Sequence, residues 1–249
     1  MLEVYELTKE YKKLRAVDQL TFTIRPGEIV GLLGPNGAGK TTALRCIAGI
    51  LRPTLGHVRI NGYDLVSDQA RAKANLAFVP ELPSLYELLT VEEHIRFVAM
   101  CYGMDRSYEA RANELMKRYN LEEKRRSLVA TRSKGMRQKL AITCALIHNA
   151  NVLLFDEPIV GIDPAGVAEF KAELARARAA GCSILVSTHL LDTAERLCDR
   201  VTILAKGRKI AEGTLEELRE LSQSEGQTLE EVFLKLTAEK HEAPAVFEL

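Results

Sequence analysis

The stretch Gly34-Pro35-Asn36-Gly37-Ala38-Gly39-Lys40-Thr41 fits G-x-x-x-x-G-K-[ST] and stands between an apolar run at residues 28–33 and a helical pattern beginning near Thr41. Glycines in such a loop let successive backbone N–H groups turn toward one anion at a helix N-terminus. Lys40 then reaches the terminal phosphates of a nucleotide and the Thr41 hydroxyl joins a Mg²⁺ shell, with Gly34, Asn36, Gly37, Ala38, Gly39 and Thr42 completing the binding set. A glycine-rich strand-to-helix turn without function is the plain alternative, and the complete motif in this context argues against it. The second chemical feature is Val152-Leu153-Leu154-Phe155-Asp156-Glu157, an apolar run ending in two carboxylates. At the end of a strand these acids stand near the phosphate loop, where Asp156 holds Mg²⁺ through its water shell and Glu157 orients or polarises the attacking water. Alone, such a pair is often only a solvated strand end. Beside a phosphate loop it points to hydrolysis of a nucleoside triphosphate.

Those groups can meet only if strands and helices alternate, and the chain carries that pattern. Short β-like runs at residues 28–33, 76–79, 152–155, 183–187 and 201–204 have helical stretches between them, which predicts an α/β fold with a mostly parallel central sheet. Runs at 4–7, 20–24 and 57–60, the last before the turn Asn61-Gly62, predict a smaller antiparallel β subdomain. From 85 to 149 no strand is legible. There Thr90-x-x-Glu93 is a capping box opening an apolar-periodic run, so residues 85–149 are expected to form a helical subdomain inserted between the two core segments, 1–84 and 150–213. Two further boxes, Thr214-x-x-Glu217 and Thr228-x-x-Glu231, predict that 214–249 holds two short amphipathic helices and ends in a tail at 241–249.

Composition narrows the partners. The chain has 249 residues, 34 Lys plus Arg and 34 Asp plus Glu, and this balance gives no general case for a nucleic-acid or anionic-lipid surface. No apolar run approaches the roughly 18 residues of a membrane span, and the opening residues do not read as a secretory signal. The five cysteines, Cys46, Cys101, Cys144, Cys182 and Cys198, are scattered without a C-x-x-C pair and are expected to be small buried hydrophobes rather than a disulfide or zinc framework. Of the five histidines only His189 carries a usable signal.

With the phosphate loop and the Asp-Glu strand end in place, residues 1–215 resemble the nucleotide-binding subunit of ATP-binding cassette (ABC) transporters, a P-loop NTPase family. Arg132-Ser133-Lys134-Gly135-Met136 matches the signature usually written L-S-G-G-Q, in degenerate form. The resemblance implies that Ser133 and Gly135 offer a hydroxyl and a backbone N–H to the γ-phosphate of ATP held by an opposite subunit; an ordinary Ser-capped helix is the alternative. Val160-Gly161-Ile162-Asp163 stands at the place of the family's dimer-contact loop, and Asp163-Pro164 is also a good helix start. Ser187-Thr188-His189 places His189 where the family has its switch histidine, although a lone histidine after a strand is more often structural. Tyr11 resembles the aromatic that stacks on adenine, with a surface tyrosine as the alternative. In Val79-Pro80-Glu81 the family's metal- and water-contacting glutamine is replaced by Glu81, which can still accept from a metal-bound water and whose added charge raises the demand for Mg²⁺. Val-Pro-Glu, Ser-Lys-Gly-Met and the ending at 228–236 resemble ATPase subunits of ABC-2-type exporters.

The resemblance implies an ATPase using Mg²⁺, with Glu157, His189 and Glu81 as catalytic groups and Thr41, Asp156 and Glu81 at the metal. Phosphate loop and signature serve opposite faces of a nucleotide, so a second nucleotide-binding subunit is required. A separate integral membrane permease is expected to insert a short helix near Glu81 and the segment 85–102, holding this chain at the cytoplasmic face of the membrane. A soluble ATPase of DNA repair or translation would usually carry coiled-coil insertions, zinc modules or tandem cassettes, none of which is present, so no nucleic-acid partner is expected. A kinase would leave Ser133 and His189 unexplained.

Overall fold

The structure is a computed structural model and describes residues 1–224 and 226–239. Its first two strands, β1 (Leu2–Tyr11) and β2 (Leu14–Ile24), pair antiparallel because Leu2, Val4 and Leu7 need the same dry face as Leu20, Phe22 and Ile24. The next strand, β3 (Glu28–Leu33), is buried over its last five residues and runs through the phosphate loop into α1 (Lys40–Ile47). Then β4 (Leu55–Ile60) and β5 (Tyr63–Asp64) form a hairpin on Asn61-Gly62, whose positive φ values of 52° and 85° are those of the tight turn read from the sequence. Together these give a four-stranded sheet in the order β2-β1-β4-β5. After α2 (Gln69–Ala74) and β6 (Leu76–Val79) the chain turns helical, with α3 (Val91–Cys101), α4 (Tyr108–Arg118) and α5 (Lys134–Leu146). It returns to the core as β7 (Val152–Asp156), α6 (Pro164–Ala179), β8 (Ser183–Ser187), α7 (Leu191–Leu197), β9 (Arg200–Ala205) and β10 (Arg208–Gly213), and ends in α8 (Leu215–Leu221) and α9 (Leu229–Glu239).

The second sheet has six strands in the order β10-β9-β3-β8-β7-β6, parallel except for the β9–β10 hairpin. Every residue of β7 and β8 is buried, as expected for strands covered on both faces, and this is why their apolar runs were legible. By contrast β10, Arg208-Lys209-Ile210-Ala211-Glu212-Gly213, is a polar edge strand held by its hairpin, and β5 has two residues; neither shows an apolar run. All three capping boxes form: Thr90 and Thr214 exchange both bonds with Glu93 and Glu217, and the Thr228 N–H donates to Glu231 Oε2 at 2.9 Å while Thr228 Oγ1 accepts from the Glu231 N–H at 3.4 Å. Residues 240–249, and with them the expected tail, lie outside the described residues.

One expectation is corrected. All five cysteines are free, but only Cys46 and Cys144 are buried; Cys182 and Cys198 are half-buried and Cys101 is exposed. The inward face of α3 is set by Val91, Ile95 and Ala99, and Cys101, two residues beyond Ala99, turns away from it.

Candidate functional site

The walls of one cavity, of about 750 Å³, are formed by Tyr11, the loop 36–42, Glu81, Glu157 and His189, groups from five separate places in the sequence. The parallel sheet brings them together: the phosphate loop follows β3, and Asp156 and Glu157 end β7 one strand beyond β8, whose own end presents His189. Two glycines have steric reasons to be there. A Cβ on Gly39, at φ +102°, would lie 2.4 Å from the Ala16 carbonyl oxygen, and one on Gly34 would lie 2.4 Å from that of Leu204. Gly34 therefore stands behind the cavity wall, wedged against β9, and lets the loop start its turn.

Lys40 donates from Nζ to the carbonyls of Gly34 at 2.6 Å and Pro35 at 3.2 Å, so its ammonium is held inside the curl of the loop. Burial pushes its pKa down, and the charges of Glu157, Asp156 and Glu81 oppose that shift. All three carboxylates therefore act on the one lysine. Asp156 is buried and does not line the cavity; its Oδ1 accepts from Ser187 Oγ at 2.5 Å. Glu157 follows in the left-handed region at φ +47°, with its N–H on the Ser187 carbonyl at 3.0 Å, and its buried Oε2 has no hydrogen bond among the described residues. A non-glycine residue in this region is strained, and such strain is characteristic of functional sites. His189 Nδ1 lies 2.9 Å from that oxygen.

The donor set suits Mg²⁺. Thr41 hydroxyl, Asp156 and Glu81 are hard oxygen ligands, and a Mg²⁺ bound with a nucleotide takes one or two carboxylates plus phosphate oxygens. The described residues contain no group of three or more His, Cys, Asp or Glu side chains able to hold a metal alone, so a Mg²⁺ here would need phosphate oxygens in its shell.

Ser133 and Gly135 are not in the cavity of their own chain. Ser133 caps α5, its Oγ accepting the Met136 N–H at 3.3 Å, and Gly135 packs on residues 160–163: a Cβ there would meet the Gly161 carbonyl oxygen at 2.3 Å. Asp163 caps α6 by accepting the Gly166 N–H at 2.7 Å and pairs with the buried Lys139 at 2.5 Å. Sequence reasoning missed five parts of the cavity wall, Leu14, Arg15, Ala16, Lys206 and Gly207. The Lys206-Gly207 turn between two short runs was a signal that could have located the last two. It also missed that His94 and His148 are buried, each with one ring nitrogen that has no hydrogen-bond partner among the described residues, against an apolar groove of about 460 Å³ between β6 and the helices α3 and α5.

The ABC transporter family profile matches residues 17–160. The chain is 38% identical over 240 residues to the ABC-type transporter ATP-binding protein EcsA of Bacillus subtilis, covering 96% of this chain and 97% of that protein. It is also 38% identical to the Nod factor export ATP-binding protein I of Burkholderia thailandensis, covering 85% and 70%. Among solved structures, an ATP-binding subunit of an ABC transporter superposes with TM-score 0.92 at 40% identity, covering 95% of this chain and 99% of that one. The dimeric ATP-binding cassette MJ0796, in a post-hydrolysis state bound to ADP and Pi, gives TM-score 0.78 at 28% identity, covering 86% and 99%. Fold, phosphate loop and these likenesses agree: the chain belongs to the ABC transporter family as an ATP-binding, ATP-hydrolysing subunit.

Proposed function

We propose that the chain powers an exporter by closing head-to-tail on a second nucleotide-binding subunit around two ATP molecules. The observation that carries this reading is the separation, within one chain, of Ser133 and Gly135 from the cavity that holds Lys40. Each nucleotide is gripped by Lys40 and Thr41 of one copy and by Ser133 and Gly135 of the other, with Tyr11 against the base.

Phosphoryl transfer asks the protein for positioning and charge stabilisation. Thr41, Asp156 and Glu81 would hold a Mg²⁺, which would supply neutralisation of phosphate charge. Water attacks the γ-phosphorus as the bond to the bridging oxygen breaks, giving ADP and phosphate, and Glu157 accepts the proton of that water. His189 fixes the Glu157 carboxylate and faces the terminal phosphate. ATP favours the closed dimer only by the contacts that ADP lacks, so cleavage lets the copies part.

The groove beside α3 is the proposed seat of a permease helix. Its rim exposes Ile50, Leu82 and Tyr102, and nearby Leu88 and Met100 are 87% and 70% exposed, an apolar area that asks for a cover. No helix among the described residues is long and apolar enough to cross a membrane, so the transport path is assigned to that separate permease and this chain to its cytoplasmic face. The motifs shared with ABC-2-type exporters, together with an export protein among the relatives, support export as the direction.

The test is Glu157→Gln with ATP and Mg²⁺. Dimers on size-exclusion chromatography and hydrolysis slowed at least about a hundredfold are expected. A variant that stays monomeric and turns over normally refutes the scheme.

A further inference from the structure

Between Glu123 and Asp156 the chain has no acidic residue and seven cationic ones, in a protein whose formal charges balance only over the whole chain. Four of the seven lie on the signature segment, and three of these four are engaged. Arg137 pairs with Glu87 at 2.9 Å, Lys139 pairs with Asp163, and Arg132 donates to Thr131 Oγ1 at 2.7 Å. Lys134 is exposed and makes no ion pair among the described residues. With Arg132 and Arg137 it lines a basic hollow of about 290 Å³ against Leu82 and Pro83, the two residues that follow Glu81.

The position of Lys134 is fixed. The next residue, Gly135, is clamped on the Gly161 carbonyl, and the Lys139–Asp163 pair ties the same two segments one turn further on. The Lys134 stem runs along Gly161: a Cβ placed on that glycine would touch Lys134 Cδ at 3.6 Å. Its ammonium is therefore carried at the start of α5 beside the loop 160–163, outside the nucleotide cavity of its own chain. The cavity has the opposite imbalance, because Glu81 adds a third carboxylate to Asp156 and Glu157 around a single lysine.

We propose that Lys134 is a second phosphate-binding lysine acting in trans, reaching the triphosphate gripped by Lys40 of the other copy and offsetting the negative charge that Glu81 adds there. This rests on the head-to-tail reading above. Two of the departures from the family pattern, Lys134 and Glu81, then form one matched pair across the closed interface. Met136 lacks the amide of the usual glutamine, and this cation stands in for that contact beside Ser133 and Gly135.

The experiment uses the full chain carrying Glu157→Gln and measures the ATP concentration that half-saturates dimerisation, by sedimentation at several salt concentrations, with ADP binding as a check on folding. Lys134→Ala is expected to raise that concentration about tenfold, the worth of one charge-assisted hydrogen bond, and to flatten its salt dependence. With Glu81→Gln also present, the penalty for Lys134→Ala shrinks to about threefold or less. Equal half-saturation with and without Lys134, or the same penalty in both Glu81 backgrounds, overturns the proposal while leaving the dimer intact. If the Glu157→Gln parent with Lys134 intact never dimerises, the head-to-tail reading itself has failed and the proposal falls with it. Mixing Lys40→Ala with Lys134→Ala chains separates trans from cis: a trans contact gives mixed dimers with one site lacking both lysines and one complete.

Discussion

His189 Nδ1 stands 2.9 Å from Glu157 Oε2, a buried oxygen with no other polar partner among the described residues. Glu157 is held by its backbone, at φ +47° with its N–H on Ser187, so the far end of its side chain depends on His189 for a partner. His189→Ala is therefore expected to lower kcat about a hundredfold, with KM for ATP within about threefold because Lys40 and Tyr11 still bind the nucleotide. Steady-state phosphate release measures both. An unchanged kcat would remove His189 from the reaction.

Gly135→Ala tests the clamp between α5 and the loop 160–163. The added methyl would stand 2.3 Å from the Gly161 carbonyl oxygen, a backbone atom that cannot swing aside. Overpacking of this kind costs about 1–3 kcal/mol, here displacing the Ser133 end of α5 from its loop. The expected outcome is loss of ATP-dependent dimers with ADP affinity of the single chain unchanged, measured by titration calorimetry and size exclusion. Normal dimers would show that the close approach is not needed.

The groups with a local cause were legible before any coordinates. The phosphate loop, the Asp156-Glu157 strand end and the capping boxes at Thr90, Thr214 and Thr228 are each written in a few adjacent residues. The meeting of the phosphate loop and Glu157 in one cavity followed from strand order, which parallel α/β alternation constrains strongly. What stayed hidden depends on distant partners. Arg15 and Ala16 reach the cavity wall because β2 packs beside the phosphate loop, and the ring contact between Tyr102 and His148, with centroids 3.7 Å apart, joins α3 to the end of α5. The outward turn of Cys101 was missed for a similar reason, since hydropathy alone does not say where a helix face leaves the core.

Tyr11 ends β1 at the mouth of the cavity, 43% exposed, with Lys9 Nζ 5.2 Å from its ring centroid. An aromatic face open on one side is available to a base. Tyr11→Ala is expected to weaken ATP binding by on the order of 1–3 kcal/mol, the range for stacking of a base on an aromatic side chain, while Tyr11→Phe keeps most of the affinity. Equilibrium titration with ATP decides, and equal affinities for Tyr11→Ala and the parent would return Tyr11 to an ordinary surface role.

Glu173 of α6 is the most densely paired acid in the molecule among the described residues. It is 1% exposed and takes Arg111 at 2.6 Å and Arg118 at 2.7 Å from α4, and Arg176 at 2.7 Å from its own helix. Burial alone would push its pKa up; Arg176 and Arg111 overcome that and hold it below the ordinary 4.5. A carboxylate with a lowered folded-state pKa contributes stability that is present above its unfolded pKa and lost as pH falls through the folded one. Glu173→Gln, which leaves three arginines without their shared anion, should cost about 3 kcal/mol at pH 7, read as a lower urea midpoint. The gap between parent and variant should close as pH drops below 4.5, because the parent loses the same charge by protonation. Since α4 belongs to the helical segment and α6 begins at the loop 160–163, the same substitution should also loosen the tie between these two parts, seen as faster amide exchange along α4. A gap that stays constant down to pH 3 would mean that the network's worth is packing rather than charge.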